Sequence, residues 1–78
     1  METLLTTQEV ATLMHCNVRT VGIWRRLGMI RSIRASYGYL FRQEWVDEFL
    51  DTYAGLEVSS LEKCQYAMAV VKHRNLKA

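Results

Sequence analysis

The chain has 78 residues and a net charge of +2, and half of its residues are hydrophobic. This composition supports one small domain with a packed core and excludes a chain that is disordered throughout. So short a chain has little room for a deep substrate pocket, and no carboxylate pair or nucleophile–base set stands out by its spacing. We therefore expect a protein that is not an enzyme and binds no cofactor.

The first helix is predicted over residues 7–14. It starts with the capping-box pattern, in which the Thr6 hydroxyl accepts a hydrogen bond from the Glu9 amide and the Glu9 carboxylate reaches back. A tight break at residues 15–17 follows. Asn17 is a favoured N-cap residue, so we expect it to begin the second helix.

The second helix is predicted over residues 18–27, and Gly28 is expected to end it. Its apolar face consists of residues that recur every three positions, namely Val18, Val21, Trp24 and Leu27. The other face carries Arg19, Thr20, Ile23 and Arg26. Two short helices joined by a three-residue turn predict a helix-turn-helix unit, whose second helix enters the major groove of DNA.

Two strands and a third helix are predicted after Gly28. Residues 29–34 and 39–42 favour short strands and residues 35–38 a turn, which together give the hairpin called a wing when it follows a helix-turn-helix. The third helix is predicted over residues 43–53, with Gly55 as its stop. It should pack on the first two helices through Trp45, Val46, Phe49, Leu50 and Tyr53.

The fourth helix is predicted to begin at a second capping pattern, residues 59–62, and to run to about residue 74. Its apolar stripe consists of Leu61, Cys64, Met68 and Val71. Such a helix needs a surface to pack on, either its own domain or a second copy, so the stripe is the candidate for oligomerisation. We divide the chain into a DNA-binding domain, residues 1–55, and a C-terminal helical extension, residues 56–78.

Charge is segregated along the chain. Residues 10–43 contain six arginines and no acid, whereas residues 44–62 contain six acids and no base. A segregated arginine block is typical of a phosphate-binding surface. The alternative, an ordinary solvated face, usually mixes lysine with acids.

The two cysteines, Cys16 and Cys64, show neither a disulfide framework nor a metal-ligand spacing, which fits free thiols in a reducing compartment. The N-terminus lacks the basic leader and apolar core of a signal peptide, and the longest apolar run is too short for a membrane span. We therefore expect a cytoplasmic protein without a metal site, associated with the nucleoid when it is bound to DNA.

Several segments occur in an order and spacing seen together elsewhere: residues 4–11, residues 17–21 with Trp24, residues 27–30 followed by residues 33–34, and Tyr39, Arg42 and Glu44 with residues 45–50. Together they resemble the excisionase-type winged helix-turn-helix family, a branch of the MerR-like superfamily of small DNA-binding proteins. The resemblance covers residues 4–50. It implies a mainly α fold with a small β-hairpin, to which this chain appends a C-terminal helix.

The chain departs from that family at three places. His15 stands in the turn where a glycine is usual, so we expect a strained or widened turn. Gly22 replaces a larger residue in the second helix, at a cost of about 1 kcal/mol relative to alanine, and Ile23 stands where a polar or basic residue is common. The wing tip, residues 36–38, lacks the arginine of the usual glycine-glycine-arginine type.

The candidate DNA contacts fall into two groups. The recognition helix supplies Asn17, Arg19, Thr20, Ile23, Arg25 and Arg26. The wing and its flank supply Arg31, Arg34, Ser36, Tyr37 and Arg42. We expect Arg19 to read a guanine edge, with a phosphate contact or a solvated side chain as the alternatives, and we expect Thr20 to bind a phosphate. Ile23 meets a thymine methyl group or is a partly buried packing residue.

The remaining arginines are expected at the DNA backbone. We predict phosphate contacts for Arg25, Arg26 and Arg31, and for Arg34 beside the minor groove. Arg42 either does the same, pairs with Glu44 or caps the third helix. Ser36 and Tyr37 are the predicted contacts from the wing tip.

The resemblance implies an excisionase-like architectural factor, a recombination directionality factor of a phage or other mobile element, which bends DNA and assists an integrase by binding neighbouring sites. Its partners would be double-stranded DNA, an integrase or other recombinase, and further copies of the chain on the DNA. Two alternatives stay open. One is a small transcriptional repressor that uses the same unit as a dimer, and the other is an interaction module that recruits a partner through the C-terminal helix.

Overall fold

The computed structural model describes residues 3–36 and 38–77, with side chains up to residue 75. The elements in chain order are β1 (Leu5–Thr6), α1 (Thr7–Leu13), α2 (Val18–Leu27), β2 (Ile33–Ala35), β3 (Gly38–Phe41), α3 (Gln43–Thr52) and α4 (Leu61–Lys77). The described residues thus form a mainly helical protein with a small antiparallel sheet in the order β1-β3-β2. None of these helices has the length and apolar character needed to cross a membrane.

α1 begins at the predicted capping box. The Glu9 amide donates to the Thr6 hydroxyl oxygen at 3.1 Å, and the Thr6 amide donates to Oε1 of Glu9 at 2.9 Å. The helix ends at Leu13, one residue earlier than predicted. In the turn that follows, His15 takes a left-handed conformation with a φ of 57°. A residue with a Cβ is strained there by about 1–2 kcal/mol, which explains why a glycine is the expected residue.

α2 has the predicted bounds but a narrower buried face. Val21 and Trp24 are buried, whereas Val18 is 45% exposed and Leu27 is half-buried. A three-residue spacing advances by about 300° in a helix of 3.6 residues per turn, so each step drifts by about 60° from the last. The outer members of the predicted face, Val18 and Leu27, therefore lie at its margins.

The hairpin is shorter than predicted. β2 begins at Ile33 rather than at residue 29. The Met29 amide instead donates to the Trp24 carbonyl oxygen at 2.9 Å at the end of α2, and Met29 and Ile30 pack in the core. β2 and β3 pair in the register Ile33↔Leu40, Arg34↔Tyr39 and Ala35↔Gly38. Ala35 and Gly38, predicted to lie in the turn, are thus paired strand residues.

The strand β1 is not predicted from the sequence. Leu5 pairs with Phe41 and Thr6 with Leu40, so the residues that precede α1 extend the hairpin into a three-stranded sheet. Two residues are too short to show the alternation by which a strand is recognised.

The core joins all four helices and the sheet. Its buried residues are Val10, Ala11, Val21, Trp24, Met29, Ile30, Phe41, Val46, Phe49, Cys64 and Ala67. The ring centroids of Trp24 and Phe49 lie 4.5 Å apart and those of Phe49 and Tyr53 lie 5.3 Å apart, which links α2 to α3. Leu50, predicted to pack on the first two helices, is instead 46% exposed.

α4 starts one residue later than its capping pattern predicts. The Ser60 hydroxyl oxygen accepts from the Lys63 amide at 3.3 Å, while the Ser59 hydroxyl donates to the Glu57 carboxylate at 2.7 Å. The helix then continues to Lys77, beyond its predicted end.

Residues after position 55 complete the core that residues 1–55 begin. The Trp24 indole N–H donates to the Val58 carbonyl oxygen at 2.8 Å, and the Cys64 thiol donates to the same oxygen at 3.3 Å. Cys64 and Ala67 are fully buried, and Met68 packs against the core. A second copy cannot reach the buried side chain of Cys64. The prediction that Cys64 contributes to an oligomer interface is therefore wrong.

Candidate nucleic-acid interface

One side of α2 points away from the core. At about 3.6 residues per turn, positions 19, 22 and 26 lie opposite the buried Val21 and Trp24. Arg19 and Arg26 are exposed and stand two turns apart on this side. Neither arginine forms an ion pair with any side chain that the structure describes. We call the surface formed by Arg19, Gly22, Ile23 and Arg26 the outward face.

Gly22 lies on the outward face, between Arg19 and Arg26 along the helix axis. A Cβ built on it would meet no atom within 4 Å, and its φ is not among the positive values found at the three other glycines. Neither packing nor backbone conformation within the chain therefore requires glycine at this position. Its cost to helix stability, about 1 kcal/mol, is not compensated by any contact inside the fold.

Ile23 combines the two roles that the sequence left open. Its side chain is half-buried and packs against the core, as a packing residue would. It also lines a cleft beside the outward face, which leaves part of the side chain accessible to a ligand.

Asn17 and Thr20, both candidate contacts, are engaged with each other. Oδ1 of Asn17 accepts from the Thr20 amide at 2.9 Å and from the Thr20 hydroxyl at 3.1 Å. The bonds cap the start of α2 and direct the hydroxyl proton toward Asn17. These two residues therefore position the helix, and a phosphate would have to displace the hydroxyl bond to reach Thr20.

Arg25 and Arg34 share one aromatic ring. The guanidinium carbon of Arg25 lies 3.7 Å from the ring centroid of Tyr39, and that of Arg34 lies 6.0 Å from it. Arg25 is half-buried, and Arg34 faces Tyr39 across the hairpin. This cation–π cluster ties the last turn of α2 to β3, so its arginines have a structural role in addition to the predicted phosphate contacts.

Arg31 and Arg42 lie close to acids of α3. Nη2 of Arg31 is 3.9 Å from Oε1 of Glu48, and Nη1 of Arg42 is 3.0 Å from Oε1 of Glu44. The Arg42 guanidinium also lies 5.7 Å from the Trp45 ring, and Arg42 is the N-cap residue of α3 without a side-chain capping bond. The pairing with Glu44 is one of the predicted alternatives for Arg42. Both pairs are exposed and hence weak.

The hairpin tip is described in part. Ser36 is exposed, and Gly38 has a φ of 142°, which a residue with a Cβ rarely adopts. Tyr37, the predicted contact from the tip, lies outside the described residues. A cleft of about 620 Å³ separates the hairpin from the N-terminal ends of α1 and α2 and is lined by Val18, residues 6–8, residues 35–36 and residues 38–40.

Leu61 is a neighbour of the outward face that sequence reasoning missed. A cleft of about 270 Å³ is lined by Arg19, Ile23, Arg26, Leu27 and Leu61. The sequence assigned Leu61 to a stripe for oligomerisation, and no local pattern relates it to α2. Of the other stripe residues, Met68 and Val71 are half-buried, so the members of the stripe do not share one exposed seam.

Both thiols are free, Cys64 buried and Cys16 half-buried. Burial raises the pKa of both Cys16 and Cys64, which lowers the fraction of reactive thiolate at neutral pH. In the part of the chain that the structure describes, no three His, Cys, Asp or Glu side chains are grouped so as to hold a metal ion.

No family model matches this chain, and neither a curated protein nor a solved structure matches it. A function for the chain therefore has to follow from its own residues, above all from the outward face of α2.

Proposed function

We propose that the chain binds duplex DNA as a winged helix-turn-helix, with α2 in the major groove and the β2–β3 hairpin as the wing toward the minor groove. The outward face carries this proposal, because two exposed arginines without ion-pair partners flank a glycine on it. An arginine guanidinium donates two parallel hydrogen bonds to O6 and N7 of guanine or to a phosphate. A helix about 10–12 Å wide fits a major groove about 12 Å wide.

The charge distribution supports the same surface. All the charged residues between positions 10 and 43 other than histidine are arginines, and the acids that follow begin at the start of α3. Phosphate neutralisation by such a block supplies most of the sequence-independent affinity for DNA. Base contacts from Arg19 would add the specificity.

Within this class we favour an excisionase-like architectural factor over a repressor. A dimeric repressor needs a self-complementary seam and a palindromic site. The apolar stripe of α4 contributes Cys64 and Met68 to the chain's own core, which leaves little of it for a seam. Separate copies that bind neighbouring sites need no such seam.

The test measures DNA binding by the whole chain. A duplex site is selected from a randomised pool, and its affinity is measured by fluorescence anisotropy at low salt for the wild type, Arg19→Ala and Arg26→Ala. Each variant should bind about tenfold more weakly or worse, since each loses one charge-assisted contact. The matched control is Arg74→Ala, an exposed arginine about 20 Å along α4 from Leu61. Equal affinities for all four proteins would refute the proposal.

The role is tested on the same site. An architectural factor should bend the duplex in a circular-permutation mobility assay and occupy tandem copies of the site. A palindromic selected site bound by a dimer would favour the repressor instead. Weak binding without any selected sequence would favour an interaction module.

A further inference from the structure

The cleft of about 270 Å³ beside the outward face joins two parts of the chain that are distant in sequence. Ile23 and Leu27 come from α2, and Leu61 is the first residue of α4. Leu61 is 50% exposed, so an apolar group that enters the cleft would contact it without displacing the core.

The lining of the cleft is mixed in character. Arg19 and Arg26 line it together with the three apolar residues. An occupant that contacts both kinds of residue places a small apolar group against the apolar side chains while it presents negative charge or hydrogen-bond acceptors to two guanidinium groups. In a symmetric pair that contacts through this cleft, a second copy would bring its own arginines to the same place.

We propose that this cleft takes the 5-methyl group of a thymine in the major groove, with Leu61 of α4 as a specificity-determining contact beside Ile23. The inference rests on the proposed function. Thymine is the base that presents an apolar group in the major groove, and the neighbouring base edges and phosphates supply the acceptors that the arginines require. The C-terminal helix thus takes part in recognition as well as in the core.

The test removes the methyl group from the DNA and leaves the protein unchanged. In the duplex selected from the randomised pool, each thymidine is replaced singly by deoxyuridine, and the affinity of the wild type is measured for every substituted duplex. At one position or more the affinity should fall about threefold to fourfold, the value of one buried methyl-sized group at about 0.8 kcal/mol.

The protein side of the test uses Leu61→Ala and a matched control. Leu61→Ala should bind the thymidine duplex and the sensitive deoxyuridine duplex equally. Leu50→Ala removes a leucine of similar exposure, 46%, from the acidic helix α3. In this variant the ratio of the affinities for the thymidine and deoxyuridine duplexes should equal that of the wild type. Circular dichroism and sedimentation of each variant check its fold and its state of association.

Two results would overturn the inference. The first is a selected site in which no thymidine is sensitive, including a site that contains none. The second is a ratio of thymidine to deoxyuridine affinities that is the same in Leu61→Ala as in the wild type. If the self-association of Leu61→Ala changes as well, this second result assigns the cleft to a second copy. Failure of the chain to bind any duplex would refute the proposed function itself and is distinct from both.

Discussion

The arginines of the outward face and those around the hairpin differ in what surrounds them. Arg19 and Arg26 have no ion-pair partner among the described residues, whereas Arg25 lies on the Tyr39 ring and Arg31 near Glu48. Arginines of one charge block thus differ in their contacts within the chain. The Tyr39 ring connects Arg25 of α2 to the hairpin, whereas the exposed pair of Arg31 with Glu48 is weak.

The largest change in stability is expected when the Tyr39 ring, which contacts Arg25, is removed. Tyr39→Leu removes the surface on which the Arg25 guanidinium lies and alters the packing of a half-buried side chain. The free energy of unfolding should fall by about 1–2 kcal/mol, measured by urea denaturation. Tyr39→Phe keeps the ring and should stay within about 0.5 kcal/mol of the wild type. An equal loss in both variants would show that the hydroxyl, not the ring, is required.

A second substitution is expected to change stability and DNA affinity in opposite directions. Gly22→Ala adds a methyl group that meets nothing in the chain, so the free energy of unfolding should rise by about 1 kcal/mol. Affinity for the selected duplex should fall, because the methyl group lies between Arg19 and Arg26 and holds the helix away from the groove.

The control for Gly22→Ala is the reverse change at an exposed position of α4. Ala69→Gly should lower the free energy of unfolding by about 1 kcal/mol and leave DNA affinity unchanged. If Gly22→Ala raised both stability and affinity, close approach of DNA at Gly22 would be ruled out.

The smallest effect is expected at the acid nearest to Arg31. Glu48→Gln removes a weak, exposed pair, so stability should change by less than about 0.5 kcal/mol. DNA affinity at low salt should rise about twofold relative to Asp51→Asn, which removes the same charge from the same helix, and the gain should vanish at high salt. Identical affinities for the two variants would mean that Arg31 does not reach the phosphates.

The candidate site was predictable to the extent that it lies on a single helix. The sequence placed Arg19, Thr20, Ile23 and Arg26 on one side of α2. Helix periodicity brings Arg19, Ile23 and Arg26 together there, whereas the half-buried Thr20 is bonded to Asn17. The sequence did not show that Arg25 would lie on Tyr39 or that Leu61 would line the adjacent cleft. Both depend on how elements far apart in the chain come together.

The sequence by itself determined the local elements. The capping box of α1, the Asn17 cap and the stop at Gly28 are hydrogen bonds and backbone preferences within four residues, and they could be read directly from residue types. The segregation of arginines from acids is equally a property of the sequence.

Tertiary structure alone decided which side chains are available. Packing buried Cys64, which the sequence assigned to an oligomer interface. It also paired Leu5 with Phe41 and placed Leu61 beside α2. A local pattern specifies that a face is apolar but not what covers it, since burial is a free energy of contact between distant segments. The outward face of α2 thus follows from the sequence of one helix, whereas the cleft beside it forms only when α4 packs against α2.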